Sequence, residues 1–419
     1  MALSPLSSGE ARGAWLDDPM HRAFLAREAL RQFAFFRASP RSGGGFHLLG
    51  PDGSPLAGTI QELHTTTRLV HSYALGKLAA VAGSDDVIDQ GMSCLWRRHR
   101  DSEVGGYVWA FDGDRVHDGR KLAYGHVFVL LAAASARLAA HPDAERLIVD
   151  VETVLDRHFW DDRPGLFVDE WTRDWSALSS YRGMNANMHA VEALLAAFEV
   201  TGRGRCLERA GRILDFFLSR IAPAEGWRVP EHYTADWRID RDYRGDPMFR
   251  PAGTTPGHSF ELARLLLQYW DLRGRPSDGS PATARLLVER ALADGWDEER
   301  GGILYTLGHD GRPAVRARYW WPVTEALGAL AALIKLEGNP ADEVWYRRLW
   351  RFAEAHFIDA GRGGWYPEID GAGRPAETLF RGKPDIYHSV QAALFPLAPG
   401  LSRMATALPR LDRVAAAAG

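Results

Sequence analysis

Sulfur is nearly absent: two cysteines, Cys94 and Cys206, stand among 419 residues. Two thiols within helical patterns are too few for a disulfide scaffold or a cysteine metal site, and a reducing, cytoplasmic setting is the expectation. Long apolar runs are also missing. The run Val127 to Ala134 is soon broken by Ser135 and Arg137, and nothing approaches the roughly 18 uninterrupted apolar residues of a membrane span. The N-terminus, MALSPLSSGEARGAW, has no apolar stretch following a basic one, so no secretory leader is expected. Basic charge is not in excess either: 50 Lys and Arg face 54 Asp and Glu, for a net charge of −4. Such a chain has no field with which to collect phosphates along a nucleic acid or to hold an anionic membrane. The expected partner is small and near neutral. Finally, no GxGxxG follows a strand, and GxxxxGK[ST], HExxH, CxxC and GxSxG do not occur, which removes nucleotide, zinc-protease and serine-hydrolase readings.

What the chain has in quantity is aromatic and helical material. Fifteen Trp, 18 Phe and 12 Tyr supply one large core and an aromatic cleft. Apolar residues recur at helical spacing in twelve segments, near 20–37, 62–82, 86–100, 121–139, 144–159, 187–200, 204–219, 257–272, 281–294, 320–336, 342–356 and 386–397. Between alternate helices a glycine followed by a large apolar residue recurs: Gly45-Phe46, Gly106-Tyr107, Gly165-Leu166-Phe167, Gly226-Trp227, Gly302-Ile303 and Gly364-Trp365. The glycines are 61, 59, 61, 76 and 62 residues apart, the length of two helices and their connections; the outlier carries the long loop 230–256. Six helix pairs in an open solenoid would need capped ends, whereas a closed ring needs none. The expectation is therefore an all-α (α/α)6 barrel, a toroid of six helix pairs with short β-hairpins in its loops. It forms a single domain over 1–419, with its core at about 20–400 and tails at 1–14 and 402–419.

After each glycine turn the chain reaches a helix start and places there His64, His126, His189, His258, Trp320-Trp321 and His388 in turn. If these helices form a parallel inner ring, their N-termini gather at one mouth. One histidine at a helix start more often caps or packs than reacts, but five such placements make a shared site the stronger reading. The partial positive charge of a helix N-terminus disfavours imidazolium, which suits an imidazole that must act as a base near neutral pH. Asn187-Met188-His189-Ala190-Val191-Glu192 and Gly257-His258-Ser259-Phe260-Glu261 put His and Glu three apart on one face, although a first-turn acid also serves the helix dipole alone. Trp320-Trp321-Pro322 with Glu325 adds two indoles, one of which is expected to line the cleft. No metal or other cofactor is assigned, although His64 and His71, or the histidine ring itself, have ligand chemistry.

At these residues the chain resembles the N-acylglucosamine 2-epimerase superfamily, over essentially residues 20–400. The carriers are His64-Thr65-Thr66-Thr67-Arg68, Tyr124-Gly125-His126, Arg182-Gly183-Met184-Asn185-Ala186-Asn187-Met188-His189 with Glu192, Thr255-Pro256-Gly257-His258 with Glu261, Trp320-Trp321-Pro322 with Glu325, and Asp385-Ile386-Tyr387-His388. The resemblance implies acid/base chemistry on an open-chain sugar without metal or nucleotide. His258 and His388 would be catalytic, with His388 taking the C2 proton to leave a cis-enediol and His258 assisting at the sugar oxygens. Arg68, Tyr124, Asn187, His189, Glu261, Trp320, Trp321 and Glu325 would bind substrate, with Arg68 stabilising the enediolate and Trp321 under the sugar. The implied reaction is aldose–ketose isomerisation of mannose and fructose, with lyxose as a neighbouring substrate and monomer or homodimer as the assembly. A sugar 2-epimerase using the same histidines is the alternative, because proton return to C2 instead of C1 gives the epimer. Two rivals lie further off. A glycoside hydrolase would require opposed carboxylates drawn from Glu192, Glu261, Glu325 and Asp385, and a non-catalytic binding toroid would require no histidine pair.

Overall fold

The computed structural model describes residues 13–246, 250–383 and 385–417. Twelve helices alternate around a ring. Six form an inner barrel: α2 (Leu63–Leu78), α4 (Ala123–Leu138), α6 (Met184–Thr201), α8 (Pro256–Leu272), α10 (Trp320–Glu337) and α12 (Tyr387–Leu394). Six lie outside: α1 (Pro19–Phe36), α3 (Ser84–Cys94), α5 (Ala144–Val154), α7 (Gly204–Leu214), α9 (Ser280–Gly295) and α11 (Pro340–His356). Each inner helix packs on the next, and α12 returns to α2, which closes the ring as expected.

Composition separates the two rings. On α5 the buried apolar residues are Ala144, Leu147, Ile148 and Val151, the one-sided stripe of a helix with one wet face. On α10 burial is continuous from Trp320 to Ile334, as befits a helix walled on every side. Small residues such as Ala132, Ala133 and Ala134 on α4, all fully buried, let inner helices approach closely.

The six turn glycines all take positive φ, from 64° at Gly226 to 89° at Gly302, a region that costs any residue with a Cβ about 1 kcal/mol or more. Three of these turns are stapled by a buried cation preceding the next inner helix. Lys121 Nζ donates to Asp101 (3.0 Å) and the Gly105 carbonyl (2.9 Å), Lys383 to Asp359 (2.7 Å) and the Gly363 carbonyl (2.5 Å), and Arg318 to the Gly301 carbonyl (3.0 Å). Short antiparallel strands sew neighbouring repeats together at the mouth, as where Lys121–Leu122 pairs with Glu170–Trp171 and Arg318–Tyr319 with Glu368–Ile369. Because such strands end where inner helices begin, they set the helix N-termini at one level.

Residues 1–12 of the expected N-terminal tail lie outside the described residues. At the other end the chain is not a loose tail: Leu411 is fully buried, its backbone N–H donates to the Ala79 carbonyl (3.1 Å), and the short helix Leu411–Ala416 rests on α1.

Candidate active site

A cavity of about 80 Å³ opens at the mouth of the inner barrel. Arg68, Tyr124, His189, His258, Trp320, Trp321 and His388 line it, together with Asn185, Pro251, Tyr305 and Phe380. Six inner-helix N-termini thus deliver their side chains to one place, as the repeat predicts. A larger cavity of about 460 Å³ shares Tyr124 and Asn185 with it but contains neither His258 nor His388, so the chemistry belongs to the smaller one.

His258 and His388 both stand beside the Trp321 indole, with ring centroids 5.0 and 5.8 Å from it. The indole can lie this close to α8 because residue 257 is glycine; a Cβ there would collide with the Trp321 ring. Each histidine has Nδ1 at 2.8 Å from a buried carboxylate oxygen, His258 on Glu231 and His388 on Glu325. An ionised carboxylate only accepts, so Nδ1–H donates and Nε2 keeps its lone pair. Glu325 is in turn bound by Arg264 at 3.1 Å. Burial alone would raise its carboxyl, but Arg264 and His388 outweigh that and hold it below the ordinary range.

Arg68 forms the opposite wall. Its Nη1 donates to Asp385 (2.7 Å) and Nη2 to the Tyr124 hydroxyl (2.8 Å), and its guanidinium lies against Phe128 and Tyr387, 4.9 and 4.8 Å from their ring centres. The second oxygen of Asp385 accepts the backbone N–H of Tyr387 (3.0 Å), so one carboxylate both orients Arg68 and starts α12. Nε of Arg68 finds no acceptor among the described residues. Burial holds His189 neutral, its imidazole pushed down to about 4, and raises the Tyr124 phenol to about 12. His189, Glu192 and Glu261 bring three potential metal-ligand atoms within 4.8 Å of one another.

Several expected residues sit elsewhere. Asn187 is fully buried outside the cavity, where its amide accepts from Phe167 N–H (2.8 Å) and donates to the Phe167 and Gly183 carbonyls (both 3.0 Å). Asn185, two residues earlier, is the asparagine that faces in. His126 has the same buried role as Asn187: its Nε2 accepts from Tyr107 N–H (3.0 Å), behind Gly106. The reason is helical phase. Asn187 and His126 are both the fourth residue of their helices, whereas the cavity-lining Tyr124, Asn185 and His388 are the second, and two residues turn a side chain about 200°. His64 stacks on Trp109 beside the cavity, 5.2 Å between ring centres. Glu261 and Glu325 do not reach the cavity but stand behind His189 and His388. Among the described residues no Asp or Glu lines it; Glu62, Asp118, Asp169 and Asp246 line the larger cavity instead, away from His258 and His388.

Glu231, Asn185, Tyr305, Pro251 and Phe380 are missing from the sequence-derived set. Glu231 belongs to the long loop 230–256, but 27 residues separate it from His258 and no local pattern joins them. Pairing of His232–Tyr233 with Arg182–Gly183 and the bond from Met184 N–H to the Glu231 carbonyl (2.9 Å) place it.

The description of the N-acylglucosamine 2-epimerase family matches residues 44–392. The chain is 40% identical to a D-mannose isomerase of Thermobifida fusca, over 94% of this chain and 98% of that protein. It is 38% identical to a D-mannose isomerase of Pseudomonas cannabina pv. alisalensis, over 95% and 98%. A crystal structure of a D-mannose isomerase, 33% identical, superposes with a TM-score of 0.84 over 89% of this chain and 97% of that one.

Proposed function

The chain belongs to the N-acylglucosamine 2-epimerase family, and from that premise we propose that it is an aldose–ketose isomerase that interconverts D-mannose and D-fructose. One observation carries the chemistry: two imidazoles, each with Nδ1 locked on a buried carboxylate at 2.8 Å, stand beside one indole in the same cavity. That leaves two Nε2 atoms as acceptors for substrate protons.

In the proposed cycle the open-chain aldose lies against Trp321. His388 takes the C2 proton, the electron pair of that bond forms the C1–C2 double bond, and the carbonyl at O1 becomes the enediolate oxygen. Arg68 and the dipoles of the inner-helix N-termini stabilise that charge. His258 moves the hydroxyl proton from O2 to O1, and His388 returns its proton to C1, which leaves the carbonyl at C2. Protons balance, and side chains alone carry them. D-lyxose, one hydroxymethyl shorter, is the expected second substrate. We further propose a cytoplasmic setting, in which the buried free thiols Cys94 and Cys206 stay reduced, with monomer or homodimer as the working form.

The test is NMR of D-mannose with EDTA-treated protein in D2O. Fructose carrying solvent deuterium is expected, and His388→Ala should abolish both turnover and exchange in a folded protein. Glucose in place of fructose would replace the isomerase reading with a 2-epimerase, and full activity of His388→Ala would remove that residue from its role.

A further inference from the structure

Glu261 is completely enclosed, and neither of its carboxylate oxygens finds a hydrogen-bond donor among the described residues. His189 Nδ1 lies 3.5 Å and Arg264 Nη2 3.8 Å from Oε1, longer than ordinary hydrogen bonds. The other carboxylates of the site are served at short range. Glu192 takes the Tyr387 hydroxyl, Glu325 takes His388 and Arg264, and Asp385 takes Arg68 and the backbone of α12. Four carboxylates around two guanidiniums would leave a net charge of −2 in a closed space, which burial makes prohibitive without further donors. Every surrounding element bears on Glu261: Glu192 and His189 from α6, Arg264 from α8, Glu325 from α10, Tyr387 from α12, Arg68 from α2 and Tyr124 from α4.

We infer that Glu261 is held as a neutral carboxylic acid, paired with the ionised Glu192 on the Nδ1 side of His189, and keeps a transferable proton beneath the sugar cavity. Burial, with Glu325 and Glu192 as like-charged neighbours, pushes the Glu261 carboxyl well above its ordinary range. Burial also works against ionisation of Glu192, which the Arg264 guanidinium and the Tyr387 hydroxyl favour. Two adjacent carboxylates with unequal partners divide one proton unequally. The same three side chains have the spacing to take a divalent cation, but the Arg264 guanidinium 3.8 Å from Glu261 already supplies positive charge there.

Such an acid turns His189 into a relay. With the Glu261 O–H directed at Nδ1, the imidazole keeps its proton on Nε2, opposite to His258 and His388. His189 can then give the Nε2 proton to a charged sugar oxygen while Nδ1 takes the proton of Glu261; the negative charge ends on Glu261, which is reprotonated when the sugar hydroxyl ionises again. This use of the proton rests on the isomerase reading, but its presence is measurable without sugar.

Neutron diffraction from wild-type crystals exchanged in D2O at pH 7 should show deuterium on a Glu261 oxygen, and nuclear density without it overturns the inference. Infrared difference spectra of wild type minus Glu261→Gln at pH 7 should contain the carbonyl stretch of a protonated carboxyl group; a difference containing only carboxylate bands overturns it. Calorimetric titration of EDTA-treated wild type with Zn2+ should show no stoichiometric site, and one that disappears in Glu261→Gln would assign the cluster to a cation instead.

Discussion

His388 takes its carboxylate from Glu325, a residue of the inner helix α10 that is itself fastened by Arg264 of α8. His258 takes its carboxylate from Glu231, in the long connection between α7 and α8, where a two-residue strand pairing and two backbone bonds, from Met184 N–H and to the Gly253 carbonyl, hold it. Both histidine–carboxylate bonds measure 2.8 Å. Half of the site is therefore welded into the helix ring by buried charges, and half is assembled by a loop laid over it. Equal geometry from unequal supports means that the same chemical change should have unequal consequences on the two sides.

The largest separation is expected from Glu325→Ala set against Glu231→Ala. Each removes the carboxylate that fixes a catalytic imidazole and should lower kcat by at least about a hundredfold. Only the first also strands a buried guanidinium, at about 3–5 kcal/mol of stability, so its Tm should fall far more. Equal Tm values for the two variants would erase the distinction drawn between helix-built and loop-built halves.

Acid should sharpen the same contrast. Burial depresses the inner-helix imidazoles, His64 and His126 to about 3 and His71 and His189 to about 4. The unfolded chain protonates these groups near 6.5 while the fold refuses the proton, so the stability they contribute is complete above pH 6.5 and is lost as pH falls toward 4. Glu261, with its raised carboxyl, and Asp169, raised to about 7, work in the opposite direction, but His21 and His99, depressed to about 4 and about 3, add to the imidazoles. Thermal unfolding between pH 7.5 and 4.5 should show Tm falling steadily; a flat profile would mean that these rings are already charged in the fold.

A smaller effect separates the two asparagines. Asn187→Ala should leave KM for the sugar unchanged and cost about 1–3 kcal/mol of stability, through the buried backbone groups of Phe167 and Gly183 that it leaves unpaired. Asn185→Ala should do the reverse, with Tm nearly unchanged and KM raised. Parallel changes in both variants would return Asn187 to the sugar-binding set.

The asparagine pair also shows where reading from sequence stops. The six glycine turns, the helix order, the ring closure and the trio His258, His388 and Trp321 are legible because they recur at fixed spacing or stand at helix starts. Which way a residue faces on an inner helix is not. A one-sided apolar stripe reveals phase on α5, but α4 and α10 are buried on every side, and no stripe marks the direction of the cavity. Helix-start placement points His126 inward and the family resemblance points Asn187 inward, yet both face the packing behind the turns. Glu231 escaped for another reason: its approach to His258 is a tertiary pairing between a loop and α8, with no local period to announce it. The cation staples Lys121, Arg318 and Lys383 recur at only three of the six turns, and a lone basic residue before a helix reads as surface.

Arg68 and Asp385 lie 317 positions apart, and their bond crosses the line where α12 meets α2. During synthesis, α2 leaves the ribosome long before the residues that will occupy its open flank. At a usual pace of about 5–20 residues per second, it waits tens of seconds beside unfinished neighbours. The first five repeats must therefore exist for a time as an open arc with an exposed apolar edge, the state in which a chaperone would find this chain. Competence to hold a sugar arrives only with the last inner helix.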